Sequence, residues 1–249
     1  MKFKTFRGLV CWSFEEYLSF PMLELIIATA VIGVLSQTAI VLSFRDNYSV
    51  LYRLTGTLFM FITFGVSAVF AHGFAGGSSK GEDKLLLSYP VKRWHLFVSK
   101  FVALFFTFVV VFFAAYSMHI YLAVLNPFEL QYFVGLFGLL LQILLVCSVT
   151  ITVSLFTKNE AISILSPILL LIGLESVAGS ENYLSAQGRL RYLSTHVAEY
   201  VTGKSATGGL AVSVLTPEAL ILTLSVPLVI SVVLLVLSFV YFTHFMEVD

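Results

Sequence analysis

This chain of 249 residues predicts an all-α polytopic membrane protein, on three observations. Hydrophobic residues make up 59% of it, charged residues only 11%, and the apolar residues come in long continuous runs. A mean hydropathy of +0.98 excludes a chain made of soluble domains. A hydrocarbon core about 30 Å thick needs roughly 20 apolar residues of helix. Six such runs can be laid out, at 21–43, 54–75, 96–124, 131–156, 161–177 and 217–243. Strands of a membrane barrel would be segments of about ten residues alternating apolar with polar positions, so helices are expected throughout.

Residues 3–18 predict an amphipathic helix lying along the membrane surface ahead of the first span. Phe3, Phe6, Val10, Phe14 and Tyr17 recur at helical spacing, while Lys4, Gly8, Glu15 and Glu16 face away. Arg7 and Trp12 interrupt the stripe, although both side chains suit a headgroup boundary. The run at 21–43 follows about twenty mixed residues with no small-residue cleavage pattern, so it reads as a span and not as a cleaved signal peptide.

Between the second and third runs, Gly73, Gly76, Gly77 and Gly81 are expected to break the helix and permit a sharp turn. A short helix can restart at Glu82, where Glu82 and Asp83 meet the positive end of the backbone dipole. Pro90 stops it and begins the helix that carries Lys92 and Arg93 into the third span. The third and fourth runs are joined at Asn126-Pro127-Phe128-Glu129, and the fourth and fifth by the short link Thr157-Lys158-Asn159-Glu160, which implies an antiparallel hairpin. The fifth run contains Pro167, and residues 178–216 form the largest loop before Thr216-Pro217-Glu218 starts the last helix.

Six spans put both termini on one side, and lysine and arginine choose which. One side holds Lys2, Lys4, Arg7, Lys80, Lys84, Lys92, Arg93, Lys100 and Lys158; the other holds Arg45, Arg53, Arg189, Arg191 and Lys204. The richer side is expected to be cytoplasmic, with both termini inside. Asn47-Tyr48-Ser49 is a glycosylation triplet on the outer side, close to the membrane.

Several functions are disfavoured. Cys11 and Cys147 fall in separate segments and predict two isolated thiols. His72, His95, His119, His196 and His244 have no metal-ligand spacing and read as satisfied or interfacial histidines. Gly76 to Gly81 imitates a phosphate loop, but Glu82 and Asp83 stand where lysine and a hydroxyl residue are needed, so no nucleotide site or other cofactor is expected on this chain. Nothing points to nucleic acid as a partner. Charged residues are scarce inside the runs, and the candidates for coupling an ion are Glu24, His119 and Glu175, fewer than an ion-coupled carrier usually keeps.

The charged interruption itself admits two readings. Leu85, Leu86 and Leu87 with Lys84, Lys92 and Arg93 suit an apolar anchor with a polar rim for a partner's groove. An ordinary interfacial loop with snorkelling lysines has the same composition. Glu82, the pair Leu85 and Leu86, Pro90 followed by Val91 and Arg93, and the distal Lys100 together resemble the cytoplasmic segment of the type-2 ATP-binding-cassette permease family. The family's glycine after the acidic residue is replaced here by Asp83 and Lys84.

The resemblance covers the whole chain and implies a single permease domain, 1–249. Residues 1–20 would form an interfacial elbow helix, 76–95 the cytoplasmic coupling segment with a coupling helix at 82–89, and 178–216 the extracytoplasmic loop. Phe3, Phe6, Val10, Phe14 and Tyr17 would face the bilayer boundary. Glu82, Leu85, Leu86, Tyr89, Pro90, Val91, Arg93 and Lys100 would contact the ATPase. It also implies an exporter of two permease chains, identical or not, with two ATP-binding subunits that carry ATP and Mg, in the cell membrane. Small residues such as Gly135 and Gly138 would allow close contact between the permeases.

Two rivals come from other classes. A secondary carrier or a structural membrane subunit would need no ATPase. An intramembrane protease is raised by Glu15-Glu16, which resembles the paired glutamates of membrane metalloproteases. Such enzymes need histidines and an arginine facing the same cavity, and residues 15–19 offer neither.

Overall fold

The computed structural model describes residues 6–19, 22–43, 48–79, 81, 86–88, 91–122, 130–178 and 217–245. Among them there is no strand, as expected. The elements are α1 (Phe6–Tyr17), α2 (Met22–Ser43), α3 (Tyr48–Ala71), α4 (Arg93–Leu122), α5 (Leu130–Thr157), α6 (Glu160–Ala178) and α7 (Pro217–Val240). α3 runs on through a π turn, His72–Gly76, and a last α turn, Gly77–Ser79; α7 ends in a second π turn, Tyr241–Phe245.

The segments Arg93–Leu122, Gly135–Thr157 and Leu224–Phe245 are long and apolar enough to cross a membrane. The pair α1 and α2, bent by 61°, supplies a fourth stretch of that kind if it counts as one span, and Met60–Gly76 and Glu160–Gly173 are shorter apolar helices. These apolar helices are those of a membrane protein.

α3 and α5 are the centre of the bundle. α3 packs on α2, α4, α5 and α6, and α5 packs on α3, α4, α6 and α7, while α1 lies on α4. Lipid is as apolar as leucine, so such helices associate through close packing and hydrogen bonds. Both are present. A Cβ at Gly65 would lie 2.9 Å from Thr29 Oγ1, so α2 and α3 meet backbone to side chain. Thr152 and Ser238 hydroxyls bond at 2.9 Å between α5 and α7, Ser117 and Tyr132 at 2.7 Å between α4 and α5, and Gln142 Nε2 donates to Thr63 Oγ1 at 3.4 Å between α5 and α3. Phenylalanines fill the remaining volume: Phe97 of α4 meets Phe74 of α3 at 5.5 Å, Phe239 of α7 at 5.6 Å and Phe242 at 5.5 Å.

Three expectations change. The helix does not break at Gly73, Gly76 or Gly77; it continues to Ser79, and of the four glycines only Gly81, beyond its end, is left-handed, at φ 75°. Packing overrides low helix propensity here. A Cβ at Gly73 would sit 3.0 Å from Leu104 Cδ1 and 3.2 Å from Tyr17 Oη, so the missing side chains admit neighbours. Gly135 is used inside the chain, because a Cβ there would overlap the Tyr116 hydroxyl; Gly138 is also buried. Contact between permeases cannot rest on these two glycines. Finally, the deepest face of α1 is Leu9, Ser13 and Tyr17, rotated from the expected stripe. Of that stripe, Tyr17 is buried, Val10 and Phe14 are half-buried, and Phe6 is exposed. The face turns because α1 packs on α4 as well as facing outward.

Candidate functional site

Polar groups converge where α3 ends, α4 begins and α6 starts. The short link between α5 and α6 sets one side of it. Lys158 takes a left-handed conformation at φ 51°, and the Asn159 side chain caps α6 by accepting from the Ile162 amide at 3.2 Å. That places Glu160 in the first turn of α6, facing α3. Its Oε1 is 2.9 Å from His72 Nδ1, the first residue of the π turn. Glu160 Oε2 would be 3.2 Å from a Cβ at Gly76, so a glycine one turn later makes room for the carboxylate.

The other side is set by Lys100, in the second turn of α4 and 3% exposed. Its ammonium donates to the Gly73 carbonyl at 3.0 Å. A π turn displaces its carbonyls from the ordinary ladder, and a charged donor on one of them is a strong bond in a buried setting. The π turn is thereby held from α4 through Lys100 and from α6 through Glu160, with Tyr17 of α1 against Gly73.

Of the residues expected to meet an ATPase, Glu82, Leu85, Tyr89 and Pro90 lie outside the described residues, as does Phe3 of the elbow stripe. Also outside them are most of the expected coupling helix, Asn47, the 126–129 connection and residues 179–216. Val91 and Arg93 are half-buried. Leu86 is 7% exposed and belongs to the chain's own hydrophobic core, and Lys100 faces Gly73. Both side chains are engaged within the chain. Among the described residues of 76–95, the exposed positions are Ser79, Ser88, Lys92 and Trp94.

The pairing of His72 with Glu160 was not foreseen, though His72 is a satisfied histidine as the sequence implies. The two residues are 88 positions apart, and a contact between helix ends leaves no periodic signal. Among the described residues no three His, Cys, Asp or Glu side chains group as metal ligands. Cys11 and Cys147 are free, the first exposed and the second buried. The arrangement joins three helix ends. No family model matches the chain, and comparison with curated proteins finds no match.

Proposed function

We propose that this chain is the membrane permease subunit of an ATP-binding-cassette exporter, crossing the cell membrane six times with both termini in the cytoplasm. α1 is then the elbow helix, and the segment between α3 and α4 receives a separate ATP-hydrolysing subunit. The resemblance of Glu82 to Lys100 to the type-2 permeases motivates the reading. The observation that carries it is the fastening of that segment: Leu86 is buried in the core, and the flanking helices are latched by Lys100 on Gly73. A push on a segment held in this way is passed to α3 and α4 as a rigid displacement, and through Glu160 to α6. The lysine and arginine distribution supports the orientation.

A secondary carrier is less favoured. The ionisable side chains His72, Glu160 and Lys100, which bond between helices, sit toward helix ends, whereas coupling-ion sites lie near the bilayer midplane.

The test is capture of the ATPase. Ser88→Glu and Arg93→Glu alter the accessible or half-buried part of the segment without entering the core, and both should lower recovery of a co-purifying ATP-binding subunit several-fold while helix content is unchanged. Full recovery with both variants, or ATP turnover by the chain purified alone, would overturn the reading.

A further inference from the structure

We propose that the edge where α1 lies on the start of α4 binds the headgroup of an acidic phospholipid. This rests on the chain's being a membrane protein and not on its being a permease. Three rings form the floor of the site. Phe6 stacks on Trp94 with ring centroids 5.9 Å apart and meets His95 at 5.3 Å, and Trp94 contacts His95 edge-on at 3.9 Å. Phe6 and Trp94 remain 38% and 42% exposed, so the packed rings still present a surface. An amphipathic indole held in this way suits the level of lipid headgroups.

Positive charge neighbours this floor in the sequence of both segments. Arg7 follows Phe6 in α1, Lys92 precedes α4, and both are exposed; half-buried Arg93 adds a third cation. The acidic residues of α1, Glu15 and Glu16, lie roughly 12 Å further along its axis, beyond the ~8–10 Å over which charge acts at physiological salt. The formal net charge of the chain is zero, so attraction for an acidic lipid must be local.

A lipid, and not a free anion, is favoured by what continues from the rings. Val102, Phe106 and Val110 follow Trp94 along α4 at intervals of four with half-buried Val98 between, and all three are exposed. Phe14 of α1 meets Phe106 edge-on at 6.3 Å, so the stripe has a side wall. From Trp94 to Val110 it runs roughly 24 Å, longer than the ~15 Å of one leaflet's hydrocarbon. Cations at one end and an apolar track leading away match a phosphodiester headgroup with its acyl chain.

The full-length chain, purified in neutral detergent and offered equal amounts of phosphatidylglycerol and phosphatidylcholine, should retain phosphatidylglycerol preferentially in native mass spectrometry. Each basic residue near an acidic lipid contributes about 1 kcal/mol, or roughly fivefold. The double variant Arg7→Gln, Lys92→Gln should therefore lose phosphatidylglycerol by about tenfold or more and leave phosphatidylcholine unchanged. Lys158→Gln removes an exposed cation at the link between α5 and α6 and should change neither. In a Trp12→Phe background Trp94 is the one remaining tryptophan, and brominated phosphatidylglycerol should quench it more than brominated phosphatidylcholine does. Retention within twofold in the double variant, an equal loss with Lys158→Gln, or equal quenching by the two lipids overturns the proposal. So does displacement by inorganic phosphate, which would make this a free-anion site.

Discussion

The ammonium of Lys100 lies 3.0 Å from the carbonyl oxygen of Gly73, so α4 holds the widened turn in which α3 ends. Lys100→Met keeps the length of the side chain and removes the donor, leaving a buried carbonyl without that bond. A loss of about 1–3 kcal/mol in unfolding free energy is expected, read from denaturant titration in mixed micelles. Glu160→Gln tests the neighbouring contact with His72, whose side chains are 33% and 39% exposed. Solvent screening limits that pair to about 1 kcal/mol or less. Equal effects from the two variants would contradict this ranking.

Burial of Leu86 changes what a substitution there reports. Leu86→Asp places a charge among core residues and should prevent stable folding, because an unpaired buried charge costs several kcal/mol. Leu86→Ala should destabilise by about 2–5 kcal/mol. Ser88→Glu, at an exposed position, should leave the thermal midpoint in detergent within a few degrees of the parent. A stable, monodisperse Leu86→Asp protein would show that this side chain does not face the core.

Close approach of α2 and α3 is testable by a double-mutant cycle. Gly65→Ala brings a methyl group to 2.9 Å from Thr29 Oγ1, whereas Thr29→Ala leaves only its Cβ, 3.3 Å away. The single glycine substitution should cost about 1–3 kcal/mol, and the pair should recover at least 0.5 kcal/mol of it. Strict additivity would mean that the two residues do not touch.

The two thiols provide a topology test without substitution. Cys11 is exposed and Cys147 buried, so a maleimide should modify one thiol per folded chain and two after denaturation. With the amino terminus in the cytoplasm, a membrane-impermeant reagent should label inside-out vesicles and spare intact cells lacking an outer barrier. The opposite pattern would reverse the orientation.

Helix positions were legible because the length of an apolar run is a local property: the runs 131–156 and 161–177 correspond closely to α5 and α6. Errors gather where two elements meet. Glycine reads as a breaker from its own backbone freedom, yet Gly73 continues a helix because Tyr17 and Leu104 fill its missing side chain. The burial of Leu86 in the chain's own core is likewise invisible to a reading of its charged segment, because its neighbours come from the fold.

The sequence by itself determined that the chain is helical and built for a membrane, since each span must satisfy its backbone hydrogen bonds internally and be apolar over a fixed length. It also located the charged segment between α3 and α4 that motivates the permease proposal. Only the tertiary structure decided which of those charges are available. Lys92 and Lys100 are the same residue type eight positions apart; one is exposed ahead of α4 and the other is buried against Gly73. The bond that separates them joins residues 27 apart in the chain and forms only when α3 and α4 pack, so helical periodicity carries no trace of it.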